Sequence, residues 1–581
     1  MKRKSHPKRP ATAAFCLILP ALLAAAPGCR KPQKDTPESA AERHVPFNYL
    51  GRRAMVVAAH PLAVEAGLKM LRRGGNAVDA AIATASALNA AEPFASGIGG
   101  GGFMVIHLAR EKKTTAINFR EKAPLLSSPH MFRDKGDKEK DWRTASGLAV
   151  AVPGALAGWD LALRKYGTRP LAEAMAEAIA IAEKGFTISP TFSDISKEEY
   201  ERLINNLPGE SAYLNDGLPR EPGEHFHNAD LARTLQLIAA RGIAEFYRGE
   251  LASKIVAAVR EKQGIMTLED LASYEAAEVE PLRGTYKDLM IVTAPPPASG
   301  GLHLIQFLNI LERWPVGDWK MNSAAYVHHL SEALRFIFAD RELYIGDPES
   351  VPVRIRELIS KDRAAAVVSL VRDDRPLDIY PAPGLEVEEK DAANTTHLCV
   401  VDEAGNVVSL TQSINDFFGT GIVPEGTGIL LNDHMDDFAL EPDSVNAPGP
   451  GRRPVSFMAP LIIFKGDQPF LALGSPGGAR IFSSLTQIIL NVTEFGMSLD
   501  EAIEAPRFFS YSAGGKAASI EVESRFPEAV LQALRMMGQE IDILKAYDKH
   551  FGGAQGIMIL RPKGILHGGA DSRRDGVGAG F

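Results

Sequence analysis

The apolar segments of this chain come as paired strands separated by helices, and that alternation leaves few ways to bury them. "MVIHLA" (104–109) and "TTAINFRE" (114–121) flank the short charged turn "REKK". "THLCVVDEAGNVVSLTQSI" (396–414) reads as a hairpin, and "APLIIF" (459–464) with "PFLALG" (469–474) supplies further strands. Around them lie helical patterns. The Ala-rich segment 61–93 predicts two helices broken at Gly74-Gly75, with Asn76 as N-cap of the second. A glycine loop, "SGIGGGGF" (96–103), follows it. Residues 150–375 are mostly helical, with apolar spacing near 3.6, and "SSLTQIILNVTEFG" is a helix after the glycine turn "GSPGGAR" (474–480). Paired strands with helices between them predict sheets packed between helical layers, without internal repeats.

Length alone, 581 residues, allows about three or four domains. An apolar fraction of 45%, a charged fraction of 23% and a net charge of -8 describe a globular protein with no general attraction to nucleic acid. The first residues differ from the rest. "MKRKSHPKRP" is cationic, "ATAAFCLILPALLAAAPGC" is apolar and ends in small residues, and a polar stretch follows. This pattern predicts an export signal over 1–29 and a disordered tether over 30–46. The Ala-Pro-Gly-Cys ending resembles a bacterial lipoprotein signal with Cys29 as the lipidated residue, so a membrane-anchored or periplasmic form and a secreted form both stand. Of Cys16, Cys29 and Cys399, only the last lies in the folded body. No internal disulfide and no cysteine-based metal site can form there, and no metal or other cofactor is expected.

Residues 372–393 are rich in Pro and charge and read as an exposed loop, a place where a chain can be cut. Asn394-Thr395 follows it and opens a strand. A Thr hydroxyl is a weak nucleophile without a base, and the residue's own α-amino group can serve once it is freed. Attack of the Thr395 hydroxyl on the Asn394 carbonyl, then hydrolysis of the ester, would free it.

At this point the sequence resembles the γ-glutamyltranspeptidases (glutathione hydrolases), from about residue 46 to the end. The resemblance rests on "GNAVDAAIA", "SGIGGGGFMV", "NFREKAP", "TTHLCVVDEAGNVVSLTQSIN", "FGTGIV", "GILLNDHMDDF", "GSPGGARI" and "GAGF", in that order. It implies an αββα sandwich of the N-terminal nucleophile hydrolase type, α+β in class. It also implies self-cleavage at Asn394-Thr395 into a large subunit (47–394) and a small catalytic subunit (395–581) that stay associated. Thr395 matches the nucleophile, and Gly477 and Gly478 match the oxyanion-hole glycines. Arg120 matches the arginine that binds the substrate α-carboxylate, and Asp437 the acid that binds its α-amino group, while Asp436 reads as structural. Ser413 and Asn415 match further pocket positions.

Three departures bear on the substrate. His434 stands where Gln or Glu contacts the substrate amino group, and Phe457 follows Ser456 where the family carries two serines on the α-carboxylate side. The loop from Phe438 to Arg452 is short where many members have a longer lid. His397 shares a strand face with Thr395, yet the α-amino group already supplies a base, so His397 reads as structural. The implied activity is cleavage of γ-glutamyl amides such as glutathione through an acyl-Thr395 ester, with water, amino acids or peptides as acceptors. His434 and Phe457 keep open an acylase acting on glutaryl-type amides. A non-catalytic surface lipoprotein is the remaining alternative.

Overall fold

The computed structural model describes residues 49–133, 139–207, 211–381 and 394–581. The expected export signal, Cys29 and the tether lie outside the described residues, as does the loop segment 382–393. Fourteen strands build two large sheets. In chain order they begin with β1 (Tyr49–Gly51), β2 (Met55–Ala58), β3 (Gly101–Leu108), β4 (Lys113–Phe119), β5 (Ala277–Val279), β6 (Leu282–Tyr286) and β7 (Leu289–Thr293). They continue with β8 (Asn394–Val401), β9 (Val407–Asn415), β10 (Leu461–Lys465), β11 (Gln468–Gly474), β12 (Gln555–Leu560), β13 (Ile565–Ala570) and β14 (Val577–Gly580). One sheet runs β14-β2-β8-β9-β3-β4-β5 and the other β1-β13-β12-β11-β10-β7-β6, with neighbours antiparallel throughout.

The layer order follows from side-chain alternation along buried strands. Val56, Leu398, Val400, Val408, Leu410, Met104 and Ile106 point outward into one apolar core with α1 (Pro61–Arg72) and α2 (Ala77–Ala91). Their neighbours Val57, Cys399, Val401, Val407 and Val105 point inward and meet Val292, Ile462, Ala472 and Ile557 of the second sheet. That sheet's outer face, with Ile291, Ile463, Leu471 and Leu473, is covered by α3 (Ser299–Leu311), α4 (Ala324–Tyr344) and α5 (Ile481–Thr493). The architecture is the αββα sandwich. Both subunit segments contribute strands to each sheet.

Local chemistry explains most boundaries. Asn76 caps α2 through Val78 and Asp79 N–H, and Asp79 returns the bond to the Asn76 N–H, a reciprocal capping box. Gly74 turns the chain between the helices with φ of +84°. Two expectations need correction. Gly101 and Gly102 belong to β3 rather than to the preceding loop, because a Cβ at either would sit 2.4 Å from the Phe119 carbonyl oxygen or 2.2 Å from that of Thr411. The mostly helical middle also contains the hairpin β6–β7, which pairs with β10 and closes that side of the second sheet.

The two sheets are tied together directly beside β8. The imidazole of His397 lies against Gly474, where a Cβ would come within 2.2 Å of its ring carbon. Ser409 Oγ donates to the Leu473 carbonyl at 3.2 Å and accepts from the Leu461 N–H at 3.1 Å. Gly474→Ala therefore overpacks the interior rather than straining the backbone. It should lower stability by about 1–3 kcal/mol, read as a fall in the denaturant midpoint at unchanged slope.

Candidate functional site

Thr395 sits at the start of β8 in a break of strand register. Asn394 pairs with Asn415, but the next paired residue, Thr396, faces Gln412, so Thr395 alone opposes Ser413 and Ile414. Such a bulge re-aims a side chain locally. Asn415, on the partner strand, takes a φ of +78°, which Asn tolerates better than most residues. The break lets Ser413 turn its hydroxyl to the junction: Oγ donates to the Asn394 carbonyl at 2.5 Å and accepts from the Asn415 N–H at 2.8 Å. The bond that self-cleavage would break thus carries a hydrogen-bond donor on its carbonyl oxygen.

Beyond the bulge the strand alternates. Thr396 points to the helical layer, where its hydroxyl donates to Glu92 at 2.6 Å. His397 points between the sheets, with Nδ1 2.8 Å from Thr411 Oγ1 and Nε2 3.2 Å from Cys399 Sγ. Burial pushes its pKa down to about 3, so the ring is neutral and both nitrogens are engaged. Gly477 and Gly478 follow β11 across the sandwich, in the turn beginning at the glycine that His397 packs against. Their φ values are +126° and +53°, a region that favours glycine, and a Cβ on Gly477 would meet Gly552 Cα at 3.0 Å.

The residues expected to hold an amino-acid end form one buried charge cluster. Arg120, fully buried just beyond β4, donates through NH2 to Asp437, through NH1 to Glu121 at 3.3 Å, and through Nε to the Pro454 carbonyl at 3.2 Å. Asp437 and His434 share the short helical turn His434–Asp437. The second Glu121 oxygen lies 2.7 Å from His434 Nδ1, close enough for an ion pair but off-line for a hydrogen bond. Arg120 and Asp437, expected at opposite ends of a substrate, are in direct contact with each other. Asp437, with its side chain 10% exposed, is the accessible edge of that pair. Asp436 faces away, with Arg143 Nε at 2.8 Å.

Ser456 keeps its hydroxyl beside its own turn, where Oγ accepts from the Met458 N–H at 3.2 Å. Phe457 is not simply a missing hydroxyl. The Arg341 guanidinium lies over its ring at 4.0 Å from the centroid, a cation–π contact, and Phe338 packs 6.0 Å away. Sequence reasoning missed Glu121, Glu92, Arg341 and Arg574. Glu121 lay inside the quoted "NFRE", next to a chosen residue; the other three carry no local signal. Among the described residues, no group of His, Cys, Asp and Glu is arranged to hold a metal ion.

The comparisons with known proteins agree with this arrangement. The family profile described as gamma-glutamyltranspeptidase matches residues 63–581. A glutathione hydrolase proenzyme of Pseudomonas sp. (strain A14) is 37% identical over 558 residues, covering 91% of this chain and 94% of that protein. An acylase ACY 1 proenzyme of Pseudomonas sp. (strain SE83) is 39% identical over 91% of this chain and 93% of its own. The crystal structure of a cephalosporin acylase from Bacillus halodurans superposes with a TM-score of 0.83 at 30% identity, covering 94% of this chain and 99% of that one.

Glu92 yields a pH prediction. It closes α2 at its C-terminal end, where a negative charge is unfavourable, and burial pushes its carboxyl from 4.5 up to about 7. A raised carboxyl pKa stabilises the fold fully below 4.5, and that contribution disappears as pH rises through about 7. The loss is at most about 3 kcal/mol. Glu92→Gln keeps an acceptor for Thr396 and removes the titration. Its thermal midpoint should fall less than the wild type's between pH 5 and pH 8; parallel curves would show that Glu92 does not titrate in this range.

Proposed function

The chain belongs to the γ-glutamyltranspeptidase family, and we propose that it cuts itself before Thr395 and then cleaves small γ-glutamyl amides such as glutathione. The observation carrying this reading is the Asn394-Thr395 junction, set in a bulge with Ser413 on the scissile carbonyl. In self-cleavage, Thr395 Oγ bonds to the Asn394 carbonyl carbon and the 394–395 C–N bond breaks. The hydroxyl proton ends on the departing amine. The Ser413 hydroxyl steadies the oxygen that turns anionic, and water then hydrolyses the ester, leaving a carboxylate on Asn394. In turnover, the freed α-amino group takes the Thr395 hydroxyl proton as Oγ attacks the donor carbonyl, then gives it to the leaving amine as the donor's amide C–N bond breaks. The Gly477 and Gly478 N–H groups receive the oxyanion, a contribution on the order of 3 kcal/mol per donor. The acyl ester then passes to water, an amino acid or a peptide.

Arg120, Asp437, Ser456, Asn415 and His434 would hold the donor's amino-acid end, and their charges define what fits. With His434 neutral, Arg120, Glu121 and Asp437 sum to one negative charge, which complements an ammonium. With His434 cationic, the cluster is neutral and suits an acyl group lacking that ammonium. The Glu121–His434 contact is the observation favouring a second reading, an acylase on glutaryl-type donors, and Phe457 capped by Arg341 adds to it. Export through residues 1–29, with Cys29 as a lipid anchor or with release of the chain, completes the proposal on sequence grounds alone.

Two experiments test it. Purified wild type should run as two fragments, the smaller beginning Thr-Thr-His-Leu, whereas Thr395→Ala stays whole; an uncut wild type with full activity sinks the mechanism. His434→Gln should raise the kcat/KM ratio of a γ-glutamyl to a glutaryl p-nitroanilide. Phe457→Ser with His434→Gln should lower KM for the γ-glutamyl donor by roughly tenfold, equivalent to about 1.4 kcal/mol. An unchanged ratio in His434→Gln would remove His434 from donor selection.

A further inference from the structure

Arg574 is buried, 5% exposed, four residues after β13. Its two terminal nitrogens go to opposite sides of one peptide bond. NH1 donates to the Thr395 carbonyl at 3.0 Å and NH2 to Asn394 Oδ1 at 2.8 Å. The charge has no carboxylate at ion-pair distance among the described residues. Asp571, three residues before it, is held by Arg507 and Arg573, and the adjacent Asp575 accepts from Ser189 and Thr191. Glu92 is engaged by Thr396. A buried guanidinium without a directly paired anion is costly: burial lowers its pKa, and the more distant carboxylates of Glu92, Asp571 and Asp575 offset that only in part. A fold that needed only to anchor its C-terminal segment could do so with a neutral residue.

The stem of Arg574 is also placed with care. It lies against Gly553, where a Cβ would approach Arg574 Cδ to 2.8 Å, and Gly552 in turn abuts Gly477. The same side chain therefore spans from the wall of the glycine turn to the junction. Cation–π contact with Phe417, at 5.4 Å, closes its other side.

We propose that Arg574 is the positioning residue for self-cleavage: its planar fork fixes the Asn394 side chain and the Thr395 carbonyl together, so that the peptide between them is presented to the Thr395 hydroxyl in one orientation. Ser413 meets the developing charge and Arg574 sets the geometry in which it develops. A guanidinium suits this task because its two N–H directions are rigidly related, whereas a lysine offers a single point charge. Once the bond is cut, Asn394 is no longer tied to Thr395, while the NH1 bond to the Thr395 carbonyl can persist and hold the new N-terminus. The inference rests on the self-cleavage reading, and the two fail differently. An uncut but active wild type removes the reading; a wild type that cuts normally can still show Arg574 to be dispensable.

The test follows conversion of purified full-length precursor into two fragments over time, for wild type, Arg574→Lys, Arg574→Gln, Asn394→Ala and the double variant Asn394→Ala/Arg574→Lys. Arg574→Gln should cut about a hundredfold more slowly than wild type and Arg574→Lys at least about tenfold more slowly. The double variant should cut no more slowly than the slower of its parents, because both changes remove one shared contact. Donor KM of whatever enzyme matures should stay within about twofold of wild type, since Arg574 makes no bond to the donor cluster. Unfolding midpoints are compared in the Thr395→Ala background, where no cutting can interfere, and should agree within a few degrees. Cleavage of Arg574→Lys within about threefold of wild type, multiplicative slowing in the double variant, or slowing matched by a large fall in midpoint would each overturn the proposal. If Arg574→Gln does not fold, the lysine variant and the double variant decide.

Discussion

A strand buried on both faces can send a side chain to only two places, and β8 lies third among the seven strands of its sheet, with helices on one side and the second sheet on the other. That constraint sorts the residues around the nucleophile before any chemistry is considered. Thr396, Leu398 and Val400 belong to the helical layer, whereas His397, Cys399 and Val401 belong to the interior of the sandwich. Strict alternation would carry Thr395 on in the same rhythm. The bulge interrupts it, and the extra residue on β9 is what brings the Ser413 hydroxyl onto the Asn394 carbonyl. The reactive geometry is thus a local departure from a ladder that is otherwise regular, and regularity on either side keeps the departure in place.

The donor end of the site works on a different principle. Arg120, Glu121, Asp437 and His434 hold one another in a nearly dry cluster, so an amino-acid end bound there, as proposed, would join a network that is already paired. Removing Arg120 would leave Glu121 and Asp437 without their shared counter-charge, a change worth about 3–5 kcal/mol in a buried setting. Loss of activity in such a variant would therefore mix folding with binding, and the accessible Asp437 edge and the His434 ring are cleaner places to alter selectivity. The family resemblance accounts for Arg120 and Asp437. The Glu121–His434 and Arg341–Phe457 contacts are features of this chain's own side chains, and the proposed function would place them where donors with and without an ammonium differ.

Much of the frame was legible in the sequence because it is written in short-range signals. Asn76 with Asp79 marks a helix start, the 396–414 segment announces a hairpin, and Thr395 opens a strand after a segment rich in Pro and charge. The hairpin β6–β7 was not legible: its strands are five residues each and lie in a stretch dominated by helical periodicity. Gly101 and Gly102 looked like loop because the reason for them, the carbonyls of Phe119 and Thr411, is contributed by other strands. The site residues divide the same way. Those inside motifs could be named, whereas Glu92 and Arg574 reach the junction from 304 and 180 positions away, a proximity that only the folded chain creates.

Those two distant residues also show what the junction demands of the fold. Burying a guanidinium and a carboxyl whose pKa has risen to about 7 on either side of one strand start is unfavourable taken alone. Neither has an ion-pair partner within contact distance, although the two opposite charges attract each other at longer range, and each is held by hydrogen bonds to residues 394–396. A chain selected only for stability would replace them with apolar side chains of similar volume, at little cost or with a gain. Their presence within reach of Asn394-Thr395 fits a precursor in which stability is traded for a well-oriented peptide bond. Cutting that bond, as proposed, would relieve the constraint on Asn394 and leave Thr395 held from its carbonyl side, the arrangement that a nucleophile using its own amine as base requires.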